Sequence, residues 1–213
     1  KLVGISGLLH NFSLSLSCKY TSYELFFLST TNNEICRVQK RIVITGGPGT
    51  GKSSIIKYLE KKGYDCLHEV SREITAAAQR EGIAQLFLAQ PLLFSQKLLE
   101  ARVDQFNEAS NIPSNIVFID RGLPDVLAYM DYFKTAYPSE FKEACSNHLY
   151  DKVFLLPPWK EIYQTDSERY ESFEQAVIIY EHLKKSYLSF GYEPVEVLKD
   201  TIQSRSAYIL NNL

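Results

Sequence analysis

Eight residues constrain this chain more than all the others: Gly46, Gly47, Pro48, Gly49, Thr50, Gly51, Lys52 and Ser53. The run fits the pattern G-x-x-x-x-G-K-[ST]. It lies between a short β-branched stretch, Arg41-Ile-Val-Ile-Thr45, and a segment with helical spacing, the context that gives the pattern its meaning. Each residue type has a physical reason. Glycines permit positive φ and carry no side chain, so successive backbone N–H groups can converge on phosphate oxygens. The next helix, beginning with Ser53 and Ser54, points its own N–H groups at the same anion. Lys52 offers a positive charge to the β- and γ-phosphates, and the Ser53 hydroxyl is suited to ligate magnesium. At an ordinary glycine content of roughly 7%, a chance match in a chain this long has odds on the order of one in a hundred. The expected ligand is magnesium with ATP, with GTP as the alternative nucleotide.

The rest of the chain from Lys40 onward alternates apolar strands with helical patterns. The spacing predicts helices over Ser53–Lys62, Val70–Gln79, Pro91–Asn107, Asp125–Phe133, Glu140–Ser146, Phe173–Phe190 and Ile202–Leu210. Strands are expected at Arg41–Thr45, Tyr64–His68, Ile116–Ile119, Lys152–Leu156 and Pro194–Leu198. This alternation implies a three-layer α/β fold of P-loop NTPase type, with a mainly parallel five-stranded sheet and helices on both faces. The ligand should lie at the carboxyl ends of the strands. Residues 1–39 have a different composition, rich in Ser, Thr, Leu and Asn without a sustained period. They read as a leader or poorly ordered extension, with a short strand at Tyr23–Leu28 as the alternative.

Further residues with chemistry cluster at the expected strand ends. Ile116-Val-Phe-Ile-Asp120 is an apolar run ending in a carboxylate, the shape of an element that holds magnesium through Asp120. Asp120 could equally take a proton from an attacking hydroxyl. Arg121 follows directly and reads as a substrate-binding cation or, blandly, as half of a surface ion pair. Glu69 and Arg72 lie just past the second strand. They read as acceptor-binding groups, or as a Glu favoured by a helix dipole next to a solvated Arg. In Gln164-Thr-Asp-Ser-Glu-Arg-Tyr170, Arg169 is placed to neutralise charge on a transferring phosphoryl group. The plain alternative is a polar loop capped at Asp166 or Ser167. The four histidines form no constellation, and Trp159 reads as a hinge or a core residue.

These elements together resemble a known group. The glycine-rich loop, Glu69-x-x-Arg72, Asp120-Arg121-Gly122-x-Pro124-Asp125, Pro157-Pro158-Trp159 and Asp166-x-Glu168-Arg169-Tyr170 are similar to the NadR-like AAA-type P-loop domain family. That resemblance covers Lys40 to the C-terminus. It implies a nucleoside- or nucleotide-kinase-like fold and ATP binding, and places this chain near small-molecule kinases that include the ribosylnicotinamide kinase domain.

Composition excludes several other classes. The net charge of −2 supplies no global basic field for nucleic acid. No run reaches the roughly 18 apolar residues of a membrane helix. The scattered Cys18, Cys36, Cys66 and Cys145 form no CxxC pair and suit free thiols in a reducing, cytoplasmic setting. No N-K-x-D guanine-reading motif and no LSGGQ-like segment is present. Two functions remain. One is a kinase-like phosphotransferase in which Lys52, Asp120 and Arg169 act on the phosphoryl group. Glu69, Arg72 and Arg121 would then bind an unknown small-molecule acceptor. The other is a slow ATPase or GTPase acting as a nucleotide-dependent switch.

Overall fold

Five short strands form one sheet in the computed structural model. It describes residues 39–83, 85–163 and 171–213. The strands are β1 (Lys40–Gly46), β2 (Asp65–Leu67), β3 (Ile116–Asp120), β4 (Lys152–Leu156) and β5 (Val195–Glu196). All pair in parallel, in the order β2-β3-β1-β4-β5. Parallel pairing requires long crossovers, and helices supply them. They are α1 (Lys52–Lys61), α2 (Ser71–Arg80), α3 (Leu86–Ala89), α4 (Pro91–Ala109), α5 (Leu123–Tyr132), α6 (Glu140–Asn147), α7 (Phe173–Ser189) and α8 (Ile202–Asn211).

The period-2 rule sorts the strand residues between two cores. Ile42, Ile44, Phe118, Phe154 and Leu156 point to one face and pack with Ile55, Ile56 and Leu59 of α1 and Ile209 of α8. Val43, Val117, Ile119 and Val153 point to the other and pack with Leu98 and Leu99 of α4, Val126 and Leu127 of α5 and Tyr187 of α7. The sheet is covered on both sides, which is why its central strands read as continuous apolar runs.

The expected α/β fold with a parallel five-stranded sheet is what forms, and element boundaries differ from the expected ones by a few residues. The clearest differences are α3, which periodicity does not reveal in four residues, and β5, which pairs over only Val195–Glu196. Pro194 cannot donate to a ladder, and Leu198 is exposed beyond it. The expected extension over residues 1–39 falls, apart from Gln39, outside the described residues. So does the segment 164–170 that contains Asp166, Glu168 and Arg169.

Register fixes where the chemistry lies. Ile44 of β1 stands beside Asp120, and Gly46 stands beside Leu156 at the end of β4. The carboxyl ends of β1, β3 and β4 therefore form one edge. β1 lies centrally with β3 and β4 on either side, so the crossovers diverge at this point and leave a crevice.

Candidate nucleotide-binding and acceptor site

The loop between β1 and α1 is built around close backbone approach. A Cβ on Gly46 would lie 2.7 Å from the Leu156 carbonyl oxygen. Gly51 has φ +85°, in the left-handed region, and serves as the N-terminal cap of α1 without any side-chain cap. The first N–H groups of α1 are thus left for an external acceptor, as an anion site requires. Thr50 Oγ1 donates to the Gly47 carbonyl at 3.0 Å and ties the loop across its base.

Lys52 lies inside this loop. Its ammonium donates to the carbonyls of Gly46 at 2.7 Å and Gly47 at 2.9 Å. Burial pushes its pKa down to about 7, and Arg121 adds to the effect, while Asp120, Glu69 and Asp125 oppose it. A lysine held this way gains strongly from an incoming anion. Ser53 and Ser54 are exposed in the first turn of α1.

Asp120 ends β3 and is 5% exposed. Burial raises its pKa, with Lys52 pulling the other way. Its Oδ1 is buried without a hydrogen-bond partner. A buried carboxylate oxygen with no donor is a costly arrangement that a cation or its water would relieve. With the exposed Ser53 hydroxyl, this donor set fits magnesium, a hard cation that takes oxygen ligands.

Beside Asp120 is a chain of alternating charges. Arg102 of α4, 2% exposed, donates to the Gly122 carbonyl at 2.7 Å and to Glu69 Oε1 at 2.9 Å. Arg121 Nε pairs with the other carboxylate oxygen of Glu69, and Arg121 Nη1 reaches Asp125 Oδ1 at 3.1 Å. Burial alone would raise the Glu69 pKa, but the two guanidiniums hold it below its ordinary value. Arg121 adopts φ 71°, an uncommon conformation for a non-glycine residue. Such strain persists only where the surroundings impose it. Here Asp125 does so: it accepts from Thr45 Oγ1 at 2.6 Å, from Gly122 N at 3.1 Å and from the Tyr187 hydroxyl. Tyr150 and Tyr187 also accept the Leu123 and Gly122 amides.

The structure thus brings Lys52, Asp120, Arg121 and Glu69 together. Arg72 is exposed in the first turn of α2, and Arg169 lies outside the described residues. Sequence reasoning missed Arg102, Asp125 and Tyr187 as parts of the site. Asp125 was legible in part, as the N3 acid of a helix-start pattern. Arg102 is distant in sequence and carries no local signal.

The glycine-rich loop and the 2-3-1-4-5 strand order meet what known proteins show. A family model described as AAA domain, AAA_28, matches residues 41–205, well over half of the chain. The chain belongs to this family of AAA-type P-loop domains. Among solved structures, deoxyadenosine kinase from M. mycoides is similar, with TM-score 0.60, 19% identity, and coverage of 81% of this chain and 97% of that one. NadR protein in complex with NR matches with TM-score 0.61 and 17% identity over 81% of this chain but only 49% of that chain. Thymidylate kinase from Ehrlichia chaffeensis matches with TM-score 0.56 and 14% identity, over 82% and 98% of the two chains. At these identities the likeness establishes a shared P-loop, nucleoside-kinase-like fold. No curated protein matches the chain. Among the described residues no helix is long and apolar enough to cross a membrane, and no group of three or more His, Cys, Asp or Glu is placed to hold a metal by itself. Cys66 and Cys145 are free thiols. Burial pushes both up to about 12, so they behave as packing residues.

Proposed function

We propose that this protein is a kinase-like phosphotransferase that binds magnesium-ATP on Gly46–Ser54 and passes the γ-phosphate to a small-molecule acceptor. One observation carries the reading: a phosphate cradle with a buried, depressed lysine adjoins a second polar cluster built from Glu69, Arg102, Arg121 and Asp125. A hydrolase needs only the first; transfer between two substrates needs both. Residues 40–213 form the catalytic unit in this proposal. Its setting is the cytoplasm, where the free thiols would stay reduced.

In this reading the backbone amides of the loop and of α1 bind the phosphates. Lys52 leaves the Gly46 and Gly47 carbonyls and stabilises the transferring group. Ser53 and Asp120 would hold a magnesium ion, which supplies charge neutralisation and orientation to the phosphates. As the alternative to holding magnesium, Asp120, whose pKa burial raises, would be the base for an acceptor hydroxyl. Glu69, with both oxygens engaged by Arg102 and Arg121, orients Arg121 on the acceptor side. In the proposal Arg121 and Arg72 bind the acceptor, and Arg169 adds a cation as the transition state forms. Catalysis is then positioning and electrostatics. The similar folds of kinases for nucleosides and nucleotides make a nucleoside or nucleoside monophosphate the first acceptor to try.

The alternative, a slow nucleotide-dependent switch, draws on the same engagement of Glu69, which leaves it no open oxygen for an acceptor. Incubation with magnesium and γ-labelled ATP, with and without a panel of nucleosides, nucleoside monophosphates, ribosylnicotinamide and sugar alcohols, separates the two. Label on one panel member is the expected result. Label only in free phosphate moves the assignment to the switch.

A further inference from the structure

Arg205 of α8 is 3% exposed, and among the described residues no carboxylate pairs with it. Burial acts against its charge. Its Nη2 donates to the Thr50 carbonyl at 2.8 Å. Its Nη1 lies 2.9 Å from where a Gly51 Cβ would stand. The guanidinium sits over the Trp159 ring, 5.7 Å from its centroid. Its Nε is buried with no hydrogen-bond partner. A cation removed from water with one carbonyl, one ring face and no counter-charge among the described residues is an unfavourable element of a resting fold. It becomes favourable when an anion arrives nearby.

The placement says which anion. The Thr50–Gly51 peptide that accepts from Arg205 carries, on its other end, the Gly51 N–H of the glycine-rich loop. A charged donor on the Thr50 carbonyl polarises that peptide and makes its N–H a stronger donor. The positive charge behind the loop also adds to the field at the start of α1. Lys52 supplies charge from within the loop, and Arg205 supplies it from behind.

We propose that Arg205 is a positioning residue of the phosphate loop, so that this chain's affinity for the polyphosphate of a nucleotide, and not for its nucleoside part, depends on the Arg205 guanidinium. This rests on the nucleotide-binding reading above, and goes beyond it by assigning a residue 152 positions past Ser53 to the phosphate cradle.

The test uses calorimetric titration of the full chain with Mg-ATP, tripolyphosphate and adenosine. Arg205→Gln removes the charge and leaves a shorter, neutral amide in its place. Its expected affinity for ATP and tripolyphosphate falls about tenfold or more, the size of one lost charge-assisted hydrogen bond. Adenosine binding stays put, and the ligand-free melting temperature is not lowered. Arg205→Lys restores most of the loss. Equal ATP affinity in wild type and Arg205→Gln overturns the proposal while leaving nucleotide binding intact. Equal losses for ATP and adenosine overturn it too, since that marks a merely structural role. A wild type that binds no ATP overturns both readings. A second measurement does not depend on the folding of Arg205→Gln. The Arg205 Nε–H resonance of wild-type protein, assigned by its absence in Arg205→Lys, should shift and exchange more slowly with tripolyphosphate but not with adenosine. A resonance indifferent to tripolyphosphate overturns the assignment.

Discussion

At the scale of single residues, the site is governed by buried charges whose partners are incomplete. Lys52 is the clearest case. Its folded pKa of about 7 lies well below its unfolded value. Between about pH 7 and the ordinary lysine range the unfolded chain holds a proton that the folded chain does not. Stability from this group therefore rises with pH across that window. The expected slope is visible in chemical denaturation from pH 7 to 9 and absent in Lys52→Met. Bound phosphate restores the charge, so the affinity for Mg-ATP should fall as pH climbs above 7, and a flat affinity profile over pH 6–9 would contradict the role given to Lys52. Asp125 is the opposite case. Burial opposes its charge, yet Arg121, Arg102 and its hydroxyl partners hold its pKa down. Its contribution is complete above the ordinary carboxylate range and is lost as pH falls through the depressed value. Asp125→Asn leaves Arg121 with Glu69 as its one remaining carboxylate among the described residues and should cost about 3–5 kcal/mol, the range for breaking a buried pair, read from urea midpoints. A loss under 1 kcal/mol would mean that Asp125 does not impose the Arg121 conformation.

Elements carry the next level of the argument. The β1–α1 connection works because its turn residue and its helix start share one residue, Gly51, whose left-handed φ leaves the first amides of α1 uncapped. Gly51→Ala places a methyl group against the Arg205 guanidinium and requires an L-residue in the left-handed region. The backbone penalty is about 1–2 kcal/mol. The expected outcome is a small drop in melting temperature with a much larger loss of ATP affinity, because the amides turn away from the phosphates. Proportionate losses of both would point to general loosening of the fold. The β3–α5 connection is the second such device. There Arg121 accepts strain that a glycine would avoid, because its side chain is needed between Glu69 and Asp125.

For the whole molecule, the sheet divides the apolar residues into two cores, and the site sits on the edge where β1, β3 and β4 end. Phe118 is fully buried on the face that packs α1 and α8. Phe118→Ala should cost about 3–5 kcal/mol. Since Phe118 lies two residues before Asp120 and beneath α1, the variant should also weaken ATP binding when measured well below its melting temperature. Unchanged affinity in a destabilised variant would show that the site is insulated from this core.

What the sequence determined by itself is local. The loop Gly46–Ser53, the apolar runs of β1, β3 and β4 and the acid at the end of β3 are written in neighbouring residues, because turn geometry and strand burial act over a few positions. The alternation of these runs with helical patterns was enough for the parallel α/β fold. Only the tertiary structure decided who partners whom. Glu69 reads as an acceptor-binding acid from its place after β2, but Arg102, from the middle of a long helix, and Arg121 claim both of its oxygens. Arg205 reads as one more polar position near the end of the chain, yet folding of α8 beside α1 puts its charge behind the phosphate loop. Such pairings are set by sheet order and helix packing, which bring together residues from 33 to 155 positions apart, and no spacing rule along the chain encodes them.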